Sequence, residues 1–260
     1  MFDLETKLRF AQQIVLKAGR WLREHMNQQV EIAEKADFKD LVTNFDQSIQ
    51  DQLSQDILQA YPLDAILGEE SQEHISISKG SVWVLDPIDG TTNFIAQQTD
   101  FCILLAYFEQ GVGQFALLYN VMADQLIWGG GEFPVFLNDR PLLGYQKGEL
   151  KRSLLGLNAG LFASNAFGLA RLANHCLGTR SYGSAGISFA YVLEGRLVAH
   201  ASYLYPWDYA VAAILGPKLG YELLSLENGK PRFEGREYVL FLPSLLKGEI
   251  TGYLDEWNYQ

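Results

Sequence analysis

The order of the predicted elements restricts the fold more than any other feature of this sequence. Apolar residues recur at helical spacing over residues 4–22 and 45–57, which predicts two amphipathic helices. Strand-like apolar runs follow at 65–67, 81–85, 101–108, 115–119 and 125–128. Beyond about Lys151, predicted strands at 153–157, 197–201, 222–226 and 238–242 alternate with predicted helices at 165–176, 187–193 and 208–215. This order is typical of layered helices and sheets. We therefore predict an α/β (α+β) fold in which two halves, about 1–150 and 151–260, pack as a single domain.

Composition and charge exclude several classes of protein. The chain of 260 residues carries a net charge of −11, whereas a nucleic-acid-binding surface needs a basic stripe. The purest apolar run, 101–108, is too short to cross a bilayer. Charged residues interrupt the N-terminal segment, so it lacks the apolar core of a signal peptide. We therefore expect a cytoplasmic protein that binds neither nucleic acid nor membrane.

The cysteines and histidines give no metal-binding pattern. Cys102 and Cys176 are far apart and lie in apolar stretches, which predicts buried free thiols. The four histidines lack the spacing of metal ligands. An acidic protein that binds phosphate must invert its local charge, and bound divalent cations do this.

The strongest chemical signal is the motif WVLDPIDGTTNF at residues 83–94. A predicted strand ends at Asp86, Pro87 turns the chain, and Asp89-Gly90 opens a probable helix. Clustered carboxylates suit a hard cation such as Mg²⁺. The amides of Gly90, Thr91 and Thr92 would lie at a helix N-terminus and could bind phosphate. A plain Pro-x-Asp-Gly turn explains Asp89 and Gly90 but leaves Asp86 unexplained.

Three further acidic positions are weak signals when taken singly. Glu69 follows a short strand, where acids usually belong to a solvated loop. Asp208 opens a helix and reads first as a favourable charge at the positive end of the helix dipole. Thr43 lies three residues before Asp46, as in a capping box.

Together, these pieces resemble the inositol monophosphatase family along nearly the whole chain. The family carries Gly-Glu-Glu, Asp-Pro-x-Asp-Gly-Thr-x-Asn-Phe and Trp-Asp in this order, and this chain has them at 68–70, 86–94 and 207–208. The resemblance implies a layered αβαβα sandwich of the inositol monophosphatase and fructose-1,6-bisphosphatase type. It also implies a homodimer, sensitivity to lithium, and two or three Mg²⁺ ions that Mn²⁺ can replace.

The resemblance also implies roles for individual residues. The metal ligands would be Glu69, Asp86, the Ile88 carbonyl, Asp89 and Asp208. Thr91 and Asp46 would orient the attacking water, and Glu69 would contribute to catalysis through a third, weaker ion. Substrate and phosphate would be bound by the following residues: Lys35, Gly90, Thr91, Thr92, Gly183, Ser184 and Ala185.

The implied reaction is hydrolysis of a small-molecule phosphate monoester by a metal-activated water, as in an inositol-1-phosphate phosphatase. Relatives that favour inositol phosphates carry a Glu seven positions before the metal-binding Asp, where this chain has Ala201. We therefore expect no selectivity for inositol monophosphate. Nucleotides, NADP(H) and sugar phosphates stay open as substrates, and so does a non-catalytic dimeric binding protein.

Overall fold

The computed structural model describes residues 4–34, 41–71, 75–146 and 148–255. The helices within these residues are α1 (Leu4–His25), α2 (Asn44–Ala60), α3 (Thr91–Gln97), α4 (Ala159–Ala163), α5 (Leu169–Ala173), α6 (Ala185–Leu193), α7 (Pro206–Leu215) and α8 (Lys247–Thr251). The strands are β1 (Ile32–Glu34), β2 (Leu41–Thr43), β3 (Ala65–Gly68), β4 (Ser81–Asp89), β5 (Cys102–Glu109), β6 (Val112–Asn120), β7 (Gln125–Gly130), β8 (Phe133–Leu137), β9 (Arg140–Pro141), β10 (Leu154–Leu157), β11 (Gly178–Arg180), β12 (Ala199–Leu204), β13 (Tyr221–Ser225) and β14 (Glu237–Pro243).

The strands form two large sheets and one small ribbon. The first half builds a seven-stranded sheet in the order β3-β4-β5-β6-β7-β8-β9. In it only β3 and β4 pair in parallel. The second half builds a five-stranded sheet in the order β11-β10-β12-β14-β13, while β1 and β2 pair with each other. Both large sheets are mixed, because each contains parallel and antiparallel pairs of strands.

Three buried clusters define five layers. Helices α1 and α2 cover one face of the seven-stranded sheet through residues such as Leu22, Ile49 and Trp83. Helices α6 and α7 fill the space between the two sheets. Helices α4, α5 and α8 cover the outer face of the five-stranded sheet. The order is helix, sheet, helix, sheet, helix, which confirms the predicted αβαβα fold.

The predicted helix over 165–176 is wrong. Asn165, Phe167 and Gly168 have positive φ angles of 50°, 53° and 75°, which an α-helix cannot accommodate. The side chain of Asn165 instead accepts hydrogen bonds from the amides of Ala170 and Arg171. The apolar spacing alone did not reveal this kink, and only α5 is α-helical there.

Other details differ less from the sequence analysis. Both cysteines are free, but only Cys102 is buried, and Cys176 is half-buried. Among the described helices, none combines the length and the apolar character needed to span a membrane.

Candidate functional site

A β-bulge in β4 brings the two carboxylates of the central motif to one face of the sheet. Asp86 pairs with Leu104 on β5, and Asp89 pairs with Cys102. Three steps along β4 therefore match two steps along β5, so one extra residue is accommodated. Residues three apart in a regular strand face opposite sides, but here both acids share the face on which α6 and α7 pack. The strand thus continues through Pro87, where the sequence analysis placed a turn.

A third carboxylate reaches this face from the first turn of α7. Pro206 occupies the first turn of the helix, where its missing N–H costs nothing. One oxygen of Asp208 accepts a hydrogen bond of 2.8 Å from the backbone N–H of Tyr205. Within the described residues, one oxygen each from Asp86, Asp89 and Asp208 lie within 4.8 Å of one another.

Burial and mutual repulsion destabilise the ionised form of this cluster. The pKa of Asp86 is raised well above its usual range, first by burial and then by the charges of Glu69, Asp89 and Asp208. The pKa of Asp208 is also raised well above its usual range, first by burial and then by Asp89 and Glu69. Glu69, directly after β3, is therefore part of the same electrostatic group. Such closely spaced oxygens, with excess negative charge, fit a divalent hard cation.

The N-terminus of α6 fixes the orientation of Asp89. The Ser184 hydroxyl and the Gly186 amide donate to one carboxylate oxygen, the amide at 2.6 Å. The Ala185 amide donates to the other at 3.1 Å. A Cβ on Gly186 would lie 2.9 Å from the Asp89 carboxylate and 2.8 Å from Leu104, so only glycine permits this close approach. The sequence analysis missed this support for Asp89.

Thr91 and Asp46 lie together beside the central motif. The Thr91 hydroxyl lies 3.2 Å from an Asp46 carboxylate oxygen and 3.1 Å from the carbonyl oxygen of Ile88. A hydroxyl has a single hydrogen, so it donates to one of these acceptors at a time. The structure therefore brings together three of the residues that the sequence analysis selected.

Asp46 is held by the predicted capping box at the start of α2. Its second oxygen accepts from the backbone amide of Thr43 at 2.8 Å and from the Thr43 hydroxyl at 2.5 Å. Burial raises the pKa of Asp46 to about 6, and the charges of Glu69 and Glu70 add to the rise, although the Thr43 hydrogen bonds oppose it.

The glycines of the predicted phosphate and substrate segments adopt conformations suited to that residue. Gly90 has a φ of 95° and immediately precedes α3, so the amides of Thr91 and Thr92 open the first turn of that helix. Gly183 has a φ of 73°. The Asn93 side chain donates to the carbonyl of Tyr182 at 2.7 Å and holds the 182–184 segment against α3. Lys35 lies outside the described residues.

The side chain of Ala201 faces away from the acidic cluster. Ala201 is fully buried and packs in the cluster of α4, α5, α8 and the five-stranded sheet. Its neighbours across the sheet are Leu157 and Leu240. The assumption that position 201 faces the substrate is therefore wrong, because strand alternation directs its side chain to the opposite layer.

A small pocket beside the first turn of α7 was also missed. It has a volume of about 220 Å³ and is lined by residues that include Leu67, Ile75, Tyr205, Trp207 and Phe233. Tyr205 and Trp207 stack with ring centroids 4.7 Å apart and planes 14° apart. In the sequence, the aromatic residues on either side of Pro206 could have indicated this pocket.

A five-layered α/β sandwich with three clustered carboxylates at its central helix layer fits a metal-dependent hydrolase of phosphate esters. Comparison with known proteins places the chain within that class. The model of the inositol monophosphatase family matches residues 3–255, and the chain belongs to this family.

Individual relatives support the same assignment. The chain is 34% identical to the inositol-1-monophosphatase of Bacillus subtilis over 251 residues, which are 94% of this chain and 95% of the relative. It is 28% identical to the Nus factor SuhB of Escherichia coli K12, with 96% of each chain covered. The crystal structure of staphylococcal IMPase-II bound to inositol monophosphate is 31% identical, with a TM-score of 0.84 and coverage of 94% and 92%. These findings confirm that the chain is a phosphoric monoester hydrolase of a metal-dependent family.

Proposed function

We propose that the chain is a Mg²⁺-dependent phosphatase acting on a small phosphorylated metabolite. The observation that carries this proposal is the convergence of Asp86, Asp89 and Asp208 within 4.8 Å. Asp86, Glu69 and the Ile88 carbonyl would hold one ion. Asp86, Asp89 and Asp208 would hold a second, and Glu69 would assist a weaker third. Mn²⁺ has similar preferences and should substitute.

The protein's own groups would position the reactants. Bound metal ions supply a deprotonated water and neutralise charge on the phosphoryl group and the leaving oxygen. Thr91, with Asp46 behind it, would orient the attacking water. The amides of Gly90, Thr91 and Thr92 would donate hydrogen bonds to the phosphate.

The segment 183–185 would serve the substrate through Gly183 and the metal through Ser184. Ser184 donates to Asp89, which supports a positioning role in addition to the substrate-binding role implied by the resemblance. Lys35 would contribute a positive charge near the phosphate.

The ligands bound by a related protein support the substrate class. One staphylococcal relative was crystallised with inositol monophosphate and with 2′-AMP, at 31% identity in each case. We propose hydrolysis of inositol 1-phosphate-type esters, with nucleotides and sugar phosphates as alternatives; because Ala201 faces away from the cluster, it gives no argument about selectivity among them. We further propose a cytoplasmic homodimer in which the two halves form one domain. We also expect Li⁺ to inhibit the enzyme by acting at the Asp208 side of the site. Titrating Mg²⁺-dependent phosphate release with LiCl tests this expectation.

Asp86→Asn is the sharpest test of the metal site. One oxygen of Asp86 accepts from the Ile88 amide at 3.0 Å, and an Asn can keep this bond while losing the charge. We expect Mg²⁺-dependent phosphate release from inositol 1-phosphate to fall ~100-fold or more, since even residues behind the ligands contribute ~10–100-fold. The thermal midpoint of the metal-free protein should be unchanged or higher, because a repelling charge is removed.

Asp139→Asn is the matched control, since Asp139 is exposed in a turn far along the sheet. It should leave both measurements unchanged. Activity of Asp86→Asn within a few-fold of the parent at saturating Mg²⁺ would contradict the proposed site.

A further inference from the structure

A buried glutamine of α2 packs against the segment that carries Glu69. Gln50 is 4% exposed, and its Nε2 donates a hydrogen bond of 3.0 Å to the Ser71 hydroxyl. A Cβ on Gly68 would overlap this amide nitrogen and lie 2.7 Å from the Gln50 Cδ, so the amide rests directly on the backbone, and a larger residue at position 68 would displace it. Gln50 therefore contacts the chain on both sides of Glu69.

The backbone around Glu69 places this residue beside Asp86. Gly68 pairs with Leu85 in parallel register, and the Glu69 amide donates to the Leu85 carbonyl at 3.1 Å. The Ser71 amide donates to the Gly68 carbonyl at 3.2 Å, which closes a turn around Glu69. After burial, the charge of Glu69 is the largest influence that raises the pKa of Asp86. The two carboxyl groups therefore lie close together although they belong to different parts of the chain.

Gln50 also lies one helical turn from Asp46, on the same face of α2. A carboxylate oxygen of Asp46 lies 3.2 Å from the Thr91 hydroxyl. One rigid helix therefore directs one side chain to Thr91 and the next side chain on that face to the turn around Glu69.

We propose that Gln50 is a positioning residue that fixes the proposed metal ligand Glu69 relative to Asp46 through its hydrogen bond to Ser71. This inference rests on the proposed function. In the part of the chain that the structure describes, the Oε1 of Gln50 is buried and has no hydrogen-bond partner. Buried polar atoms without a partner are uncommon, and such exceptions are expected at functional sites. A neutral amide also supplies a donor without adding negative charge beside Asp46 and Glu69.

The test uses Gln50→Met, which keeps the length of the side chain and removes its polar atoms, together with Ser71→Ala and the double variant. Mg²⁺ affinity is measured from the Mg²⁺-induced rise in thermal midpoint and from the Mg²⁺ concentration that gives half-maximal phosphate release from inositol 1-phosphate. Each single variant should bind Mg²⁺ about tenfold more weakly, the lower end of the ~10–100-fold that partners behind metal ligands contribute. The kcat at saturating Mg²⁺ should stay within threefold of the parent.

The double variant and a control separate positioning from stability. The double variant should bind Mg²⁺ no more weakly than either single variant, because all three lack the same hydrogen bond. Gln47→Met is the matched control: Gln47 is exposed on the same helix, and its Nε2 donates to Asp51 at 2.8 Å. This control should leave Mg²⁺ affinity unchanged. A merely structural Gln50 would lower the metal-free midpoint of Gln50→Met and leave its Mg²⁺ affinity equal to that of the parent.

Two results would overturn the role given to Gln50. The first is an unchanged Mg²⁺ affinity in the single variants, and the second is additive losses in the double variant. If Gln50→Met does not fold, Ser71→Ala decides alone, because Ser71 is only half-buried and its loss removes the same hydrogen bond. Absence of Mg²⁺-dependent phosphate release in the parent would instead refute the proposed function, while the Mg²⁺-induced rise in thermal midpoint would still test Gln50.

Discussion

Removing the hydroxyl of Ser184 should weaken metal binding without removing a ligand. Ser184 donates a hydrogen bond to Asp89 and is itself fixed by the Ile187 amide, which donates to its Oγ at 3.1 Å. In Ser184→Ala, Asp89 keeps the amides of Ala185 and Gly186 but loses its hydroxyl donor. The carboxylate should therefore sample orientations that do not suit the cation.

The size of the effect follows from two general values. Losing a partner behind a metal ligand typically costs ~10–100-fold in metal affinity, and we expect about tenfold because two donors remain. At Mg²⁺ concentrations well above the dissociation constant, a tenfold weaker affinity lowers the metal-induced stabilisation by about 1.4 kcal/mol. For a chain of this length that corresponds to roughly 3–6 °C less Mg²⁺-induced rise in thermal midpoint.

The assay is the thermal midpoint with and without Mg²⁺, combined with the Mg²⁺ dependence of phosphate release. The metal-free midpoint accounts separately for the lost helix cap, which is worth ~1 kcal/mol. Ser188→Ala is the matched control: Ser188 is buried one turn further on, and its hydroxyl donates to the Ser184 carbonyl at 2.8 Å. If both variants reduced the Mg²⁺-induced rise equally, or neither did, the role given to Ser184 would be wrong.

Two further predictions concern Thr91 and His200. Thr91→Ala should lower kcat by ~10²–10⁴-fold while the Mg²⁺ dependence measured by steady-state kinetics stays within threefold, and a normal kcat with reduced stability would indicate a cap alone. His200 is buried and burial lowers its pKa to about 4, so the unfolded chain, with a histidine pKa near 6.5, takes up the proton first. The difference in unfolding free energy between the parent and His200→Leu should therefore be constant above pH 6.5. Between pH 6.5 and pH 4 the parent should lose stability relative to the variant at ~1.4 kcal/mol per pH unit, which amounts to at most about 3 kcal/mol. Urea unfolding at pH 7 and pH 4.5 measures this difference, and parallel pH profiles for the two proteins would contradict it.

The chemistry of the site could be predicted from the sequence because it depends on residue type and order. Asp86 and Asp89 stood out in the motif at residues 83–94, whereas Glu69 and Asp208 were weak signals singly and gained weight only from the family resemblance. The layered fold followed from the same reasoning, since element order restricts how apolar faces can be covered.

The geometry of the site could not be predicted because it depends on pairing between strands. The bulge between Asp86 and Asp89 is visible only against the partners Leu104 and Cys102 on β5. The orientation of Ala201 likewise depends on which face of β12 reaches the central layer. Counting seven residues back from Asp208 identifies a position in the sequence, but it does not show which way the side chain at that position points.

Each carboxylate of the cluster is held by a different local hydrogen-bonding arrangement. Asp86 accepts from the Ile88 amide within the bulge, Asp208 accepts from the Tyr205 amide in a capping box, and Asp89 accepts from the first turn of α6. Each bond favours the ionised acid locally, yet burial raises the pKa of all three carboxyls. These hydrogen bonds therefore fix the orientation of the carboxylates more than they offset the energetic cost of bringing like charges together. A divalent cation bound at the cluster would recover that energy, and by binding the folded chain it would couple stability to function.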